Sequence, residues 1–184
     1  LHYMDPHGPY QPPTEHQRAF RDDPVSPSEA KDLWRKSVED PGALTDPEQS
    51  TLIDLYDAEI RYTDEKLSAF LQELEQRDHG ESLVVLAADH GDLLGEHGRY
   101  GHPRLLFDEL VHVPLVLFGD PVTPGRDERL VENIDIAATI LDAVGVKSSS
   151  WVVGESLLEQ EWCVSEDPSE RYAVSEATRD ADDT

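Results

Sequence analysis

The sequence predicts an α/β domain with a mainly parallel sheet, and three observations indicate this class. Two short apolar runs, Leu83–Ala88 and Val113–Phe118, have the length and composition of buried strands. A long segment with apolar residues at helical spacing precedes the first run, and a shorter one follows the second. This alternation of helices and strands is typical of α/β folds. With 184 residues, 38% of them hydrophobic, the chain can form one domain with a core.

The N-terminal segment is predicted to contain a strand, a loop and a short helix. Leu1–Met4 is a candidate strand. Six prolines between positions 5 and 27 indicate a loop, because proline lacks a backbone donor and restricts the residue before it. A short helix is then expected, capped by Ser28 and ending near Glu39.

A long helix is predicted to begin at Asp46-Pro47. A capping carboxylate there precedes a proline at the first helical position, and His79-Gly80 ends the pattern. The apolar residues between these points keep helical spacing over almost thirty residues. They are Leu52, Tyr56, Ile60, Thr63, Leu67, Phe70, Leu71 and Leu74.

The second half of the chain is predicted to alternate between loops and shorter elements. Leu105–Val111 has room for one or two helical turns. An amphipathic helix is expected to begin at Asn133 or Asp135 and to stop at Gly145. Tyr172–Ser175 is a candidate last strand.

Acidic residues far outnumber basic ones. The chain carries 40 Asp and Glu against 15 Lys and Arg, a formal net charge of −25. Nucleic acid and anionic membranes need a basic face, so this charge argues against both as partners. Because the acids are spread along the chain, they favour a solvated surface adapted to high salt, and hence a halophilic source, over a cation-binding surface.

The compartment is not fixed by the sequence, although the cytoplasm is slightly favoured. Cys163 is the only cysteine, so no internal disulfide can form. No apolar run approaches the roughly 20 residues of a membrane helix. The start, Leu1–Pro6, has no initiator Met and no features of a signal peptide. It reads as the end of a strand that runs into a loop, as if the chain begins inside a domain.

The motif Asp89-His90-Gly91 directly follows the first predicted strand. Ligands of open α/β sheets bind outside the carboxyl ends of strands. An adjacent carboxylate and imidazole at that place can share one metal ion, and glycine lets backbone and ligand approach closely. The alternative is a polar loop that only caps the strand, because three residues alone are a weak signal.

Four segments stand in the order and spacing of one enzyme family. They are Tyr3–Tyr10 (YMDPHGPY), Tyr56–Asp64 (YDAEIRYTD), Asp89–Gly98 (DHGDLLGEHG) and Phe107–Leu115 (FDELVHVPL), and Asp135–Leu141 follows as a helix. Together they resemble the sulfatase family of the alkaline phosphatase superfamily. The resemblance implies a partial alkaline-phosphatase-like domain, with a mainly parallel sheet flanked by helices and with the N-terminal half missing. It also implies that residues 1–177 are the C-terminal portion of the catalytic domain. Separately, the acidic composition and terminal position of 178–184 predict a disordered tail.

The resemblance implies a divalent metal and an anionic substrate. Asp89 and His90 resemble the second half of the family's metal site, which most often holds calcium, and magnesium or manganese in some relatives. The carboxylate suits a hard cation, whereas the imidazole widens the choice towards manganese or zinc. His7 resembles the histidine that contacts the transferred sulfate. His102 stands where the family more often has a lysine that holds a substrate oxygen, and this departure affects anion binding. His97 is a candidate support for the loop or the leaving group.

The family's nucleophile motif is absent from this sequence. Sulfatases make formylglycine from Cys or Ser in a Cys/Ser-x-Pro-x-Arg motif, and the preceding strand supplies two further metal ligands. Cys163 lies in Trp162–Ser165, which has neither the proline nor the arginine, and is expected to be a half-buried small residue. The chain alone therefore carries half a metal site, and no turnover is expected from it without a partner such as the missing N-terminal half.

The function implied is hydrolysis of sulfuric esters of small molecules or carbohydrates by the complete enzyme. A hydrated formylglycine would attack sulfur while the metal and His7 stabilise the equatorial oxygens. A phosphodiesterase or phosphonate hydrolase of the same superfamily is the first alternative, because its Asp-His pair looks the same. A non-catalytic remnant that keeps only a partner surface is the second.

Overall fold

The computed structural model describes residues 1–77, 82–126, 129–158 and 172–176. The elements, in chain order, are α1 (Thr14–Gln17), α2 (Pro27–Glu39), α3 (Asp46–Arg77), β1 (Leu83–Ala87), β2 (Leu93–Leu94), β3 (Tyr100–Gly101), α4 (Asp108–Val111), β4 (Leu115–Gly119) and α5 (Asp135–Ala143). They form two compact units. The first unit comprises residues 1–77 and 92–103, and the second comprises 78–91 and 104–184. The α/β class predicted from the sequence is confirmed.

Helices α2 and α3 dominate the first unit. Helix α2 begins with a capping box, in which the Ser26 hydroxyl accepts the Glu29 N–H and the Glu29 carboxylate accepts the Ser26 N–H. The prediction of Ser28 as the cap is therefore wrong by two residues, because the box needs a Glu three positions after the cap. Helix α3 starts at Asp46, as predicted, and an ion pair of 2.7 Å from Lys36 to Glu48 joins the two helices.

The core of the first unit is small and partly aromatic. It contains Tyr10, Ala30, Leu44, Leu52, Leu55 and Tyr100. On α3 the buried residues are Leu52, Leu55, Ala58 and Glu59, whereas Ile60 is exposed. The predicted apolar face of this long helix was thus set at the wrong angle: its core-facing stripe includes an acid, which hydrophobic periodicity cannot detect.

The second unit is built on an antiparallel pair, β1 with β4. Leu83 lies opposite Gly119, and Ala87 lies opposite Leu115. The other pair, β2 with β3, is an antiparallel hairpin in the first unit. The prediction of a mainly parallel sheet is therefore wrong for the described strands. The chain between β1 and β4 carries a hairpin and one helical turn, not the crossover helix that usually brings strands parallel.

Helix α5 is held by its own polar side chains. Asp135, its first residue, is buried and accepts the backbone N–H groups of Glu132 and Glu155. The Thr139 hydroxyl accepts the N–H of Leu157 at 2.9 Å. Gly145 follows the helix with φ +67°, the left-handed conformation typical after a helix end, so both predicted limits are confirmed.

Two predicted strands do not form. Leu1–Met4 is irregular, and so are residues 172–176, where the Val174 N–H donates to the Glu132 side chain instead of to a strand. Cys163 and the predicted tail at 178–184 lie outside the described residues. Among the described residues, no helix is long and apolar enough to cross a membrane.

Candidate anion and metal sites

Two of the predicted site residues, His7 and His102, meet in the first unit. Their Nε2 atoms are 3.1 Å apart, and the ring centroids are separated by 5.1 Å. His7 lies in the proline-framed loop before α1, and His102 follows β3 directly, 95 positions along the chain. His7 is half-buried and His102 is exposed. The fold thus brings two imidazoles from distant segments to one point at the surface.

The backbone fixes the proton on one side of this pair. His7 Nδ1 lies 2.8 Å from the carbonyl oxygen of Gly8, which can only accept, so Nδ1 carries the hydrogen. A neutral His7 then has its lone pair on Nε2 and accepts from His102 Nε2. For His7 to donate from Nε2 to an anion, it must be imidazolium.

Glu59 holds the loop that carries His7. Its side chain is only 4% exposed, and it accepts the backbone N–H of His7 at 3.3 Å and that of Gln11 at 2.5 Å. Burial raises the pKa of Glu59 to about 7, although the Gln11 N–H opposes this shift, and the nearby Asp5 charge adds to it. A buried carboxylate on α3 thus anchors both ends of a short loop segment.

Tyr10 fixes the same loop from the core. It is fully buried, and its hydroxyl donates to Asp92 Oδ2 at 2.6 Å. Burial raises the pKa of Tyr10, and the hydrogen bond to Asp92 raises it further, so the phenol stays protonated. Its ring stacks edge-on against Trp34 and Tyr56. The hydrogen bond from Tyr10 to Asp92 connects the loop to the start of the hairpin β2–β3.

His97 lies in the turn of that hairpin, at the opposite end of β3 from His102. It is exposed and adopts φ +55°, the left-handed conformation, between two glycines that also have positive φ. Non-glycine residues rarely adopt this conformation, and such positions are common at functional sites. The assignment of His97 to support of the loop or of the leaving group stays a prediction.

Asp89 and His90 follow β1 in the second unit, as predicted. The Asp89 side chain is 81% exposed and that of His90 is 40% exposed, and Asp89 Oδ1 is 4.0 Å from His90 Nε2. His90 Nδ1 donates to the Gly91 carbonyl at 3.0 Å, which fixes the tautomer with the lone pair on Nε2. An accessible carboxylate beside an imidazole in this tautomer suits a divalent ion by its donor chemistry.

Gly91 shows why glycine follows the Asp-His pair. Its N–H donates to the Leu110 carbonyl at 3.0 Å, and a Cβ at this position would lie 2.0 Å from the Glu109 carbonyl oxygen. The backbone after His90 therefore packs directly on the helical turn α4. This close approach leaves no room for a side chain.

Comparison with known proteins identifies the family. The family model named Sulfatase matches residues 1–146. The chain belongs to the sulfatase family. Among curated sulfatases, it is 32% identical over 107 residues to the choline-sulfatase of Rhizobium meliloti, covering 56% of this chain and 21% of that protein. It is 33% identical over 121 residues to arylsulfatase K of Danio rerio, covering 64% and 23%. The chain thus spans about a fifth of the length of these relatives.

A solved structure supports the same fold. The phosphonate monoester hydrolase of Silicibacter pomeroyi superposes with a TM-score of 0.53 and 27% sequence identity. The match covers 79% of this chain and 29% of that enzyme. The alkaline-phosphatase-like fold implied by the sequence is confirmed by this match.

Three residues around this candidate site have no role in the sequence interpretation: Glu59, Tyr10 and Trp34. Glu59 left no signal, because hydrophobic periodicity does not place an acid on the core-facing side of a helix. Tyr10 and Trp34 left none, since an aromatic residue in a loop or a short helix is unremarkable by itself. The structure joins His7 with His102 and keeps Asp89 beside His90; the convergence of both pairs in one cleft stays a prediction.

Proposed function

We propose that this chain supplies the anion-binding histidines and half of the divalent metal site of a sulfuric ester hydrolase. The observation that carries the proposal is the His7–His102 pair, with Nε2 atoms 3.1 Å apart in a member of the sulfatase family. The two Nε2 atoms meet at one point, so both imidazoles can donate to one tetrahedral anion that replaces the hydrogen bond between them. The substrate class is a sulfate ester of a small molecule or a carbohydrate.

In the proposed site, Asp89 and His90 hold the metal, with calcium preferred for the carboxylate and magnesium or manganese as alternatives. When bound, the ion supplies positive charge that stabilises the sulfate oxygens. His7 and His102 are assigned the donation of N–H groups to the anion. His97, held in its strained turn, assists the leaving group. The nucleophile is expected from a segment outside this sequence.

Direct binding tests this proposal without requiring turnover. Calorimetry measures sulfate binding to the chain at about pH 6, where imidazoles are largely protonated. His7→Ala and His102→Ala are each expected to weaken sulfate binding at least about tenfold. His2→Ala removes an exposed histidine of the same unit and is expected to leave sulfate affinity unchanged. Equal sulfate affinity in all three variants would contradict the anion role.

A second set of titrations compares the affinity for sulfate with that for other tetrahedral anions. The same titrations with methylphosphonate and with phosphate report which tetrahedral anion the pair prefers. Sulfate binding that exceeds both supports the sulfatase role. Preference for the phosphonate would favour the alternative, a phosphonate or phosphodiester hydrolase, for which a structural neighbour exists.

A further inference from the structure

Trp34 lies against two glycines that adjoin the histidine pair. Gly8 follows His7, and Gly101 precedes His102. A Cβ on Gly8 would lie 2.2 Å from Trp34 Cζ2, and a Cβ on Gly101 would lie 3.1 Å from Trp34 Cη2. The outer edge of the indole therefore occupies the space that both glycines leave open.

The indole is itself held by the core. Trp34 is on α2 and packs edge-on against the fully buried Tyr10, with ring centroids 4.9 Å apart. Its backbone carbonyl accepts the hydroxyl of the buried Ser37 at 2.7 Å. A large, rigid side chain with a fixed base thus contacts the backbone beside each histidine.

We propose that Trp34 is the positioning residue that sets the separation of His7 and His102. The inference rests on the proposed anion role of the pair. The two histidines are 95 positions apart, so their spacing depends on what lies between their backbones. The indole lies against both Gly8 and Gly101 and therefore fixes the distance between the two backbone segments that carry the histidines. Such pre-positioning avoids an ordering cost when the ligand binds.

Trp34→Phe separates this role from the general stability of the fold. A phenyl ring keeps the contact with Tyr10, but it lacks the outer indole edge that touches Gly8 and Gly101. Trp151→Phe is the matched control, because the Trp151 side chain is 81% exposed. Gly8→Ala in the Trp34→Phe background refills part of the lost space. Gly101 is less suitable for this purpose, since its φ of +71° disfavours alanine.

Two readouts are combined in the full chain. Nuclear Overhauser contacts between the ring protons of His7 and His102, in histidine-labelled protein, report the spacing without any ligand. Calorimetry with sodium sulfate reports binding. Trp34→Phe is expected to remove the contact between the two imidazole rings and to weaken sulfate binding about tenfold. Its melting temperature is expected to stay close to that of the native chain. Gly8→Ala together with Trp34→Phe is expected to restore part of both.

A double-mutant cycle shows whether Trp34 acts through the pair. In a His102→Ala background, Trp34→Phe is expected to have no further effect on sulfate affinity, because there is no second imidazole to position. An equal loss in both backgrounds, a ring contact that survives Trp34→Phe, or a native chain without the ring contact would each overturn the inference. If Trp34→Phe abolishes the ring contact but the native chain does not bind sulfate, the positioning role stands and the proposed function fails.

Discussion

The two pairs of candidate site residues are held in different ways. His7 and His102 depend on the core of the first unit: the buried Glu59 accepts the His7 N–H. Asp89 and His90 are exposed and depend on local backbone contacts, such as the His90 bond to the Gly91 carbonyl. The His7–His102 pair, proposed to bind the anion, is therefore positioned in advance by packing. In the Asp89–His90 pair, proposed to bind the metal, the imidazole tautomer is fixed, but the carboxylate faces solvent.

This difference predicts unequal consequences of substitution, and Glu59→Ala is expected to have the largest. The change leaves the N–H groups of His7 and Gln11 without their acceptor inside the protein. We expect a loss of about 3 kcal/mol in the free energy of unfolding, together with weaker sulfate binding. Urea denaturation measures the first effect. Glu75→Ala, at an exposed position of the same helix, is the control, and equal losses for the two would refute the anchoring role.

The titration of Glu59 gives a second prediction. Burial raises its pKa to about 7, above the value of an exposed carboxyl near 4.3. The folded state therefore holds this proton over a range in which the unfolded state has released it. Protonated Glu59 therefore adds to the free energy of unfolding. This contribution, up to about 3 kcal/mol, is complete below about pH 4 and is lost as the pH rises to about 7. The difference in unfolding free energy between the native chain and Glu59→Gln should follow this slope; a difference independent of pH would contradict it.

Gly91→Ala tests the close approach in the second unit. A Cβ 2.0 Å from the Glu109 carbonyl oxygen forces the backbone or α4 to move. We expect a loss of about 2 kcal/mol in the free energy of unfolding. Gly125→Ala serves as the control, because a Cβ there meets no atom within 4 Å. Equal melting temperatures for the two variants would contradict this prediction, because they would show that α4 moves aside without a loss of stability.

Asp89→Asn is expected to have the smallest effect on folding. Its side chain is 81% exposed, so the free energy of unfolding should change by less than about 0.5 kcal/mol. Calcium binding, measured by calorimetry, should nevertheless fall at least about tenfold, because the charged ligand is lost. Asp108→Asn, at another exposed acid of the second unit, should retain it. Unchanged calcium affinity in Asp89→Asn would remove this residue from the proposed metal site.

The sequence predicted long or strongly punctuated elements well and tertiary relationships poorly. The start of α3 at Asp46 and the end of α5 before Gly145 depend on residues at the helix ends themselves, so the local sequence is enough to predict them. Strand direction and the buried face of α3 depend on distant partners, so the parallel sheet and the exposed Ile60 were predicted incorrectly.

The same limit applies to the candidate sites. His7 and His102 were identified through their place in family-like segments, but their direct contact joins positions 95 residues apart. Nothing in the local sequence around Trp34 indicates that its ring lies against Gly8 and Gly101. Supporting residues of this kind are set by packing, and a structure is needed to find them.

The central claim is that His7 and His102 together bind a tetrahedral anion. The most direct test is the dissociation constant for sulfate between about pH 5.5 and about pH 8.5, in the native chain and in His102→Lys. A histidine loses its charge within this range, whereas a lysine stays charged to about pH 10. The account predicts that native affinity falls as the pH rises and that lysine at position 102 makes the fall shallower. Identical pH profiles for the two proteins would contradict it.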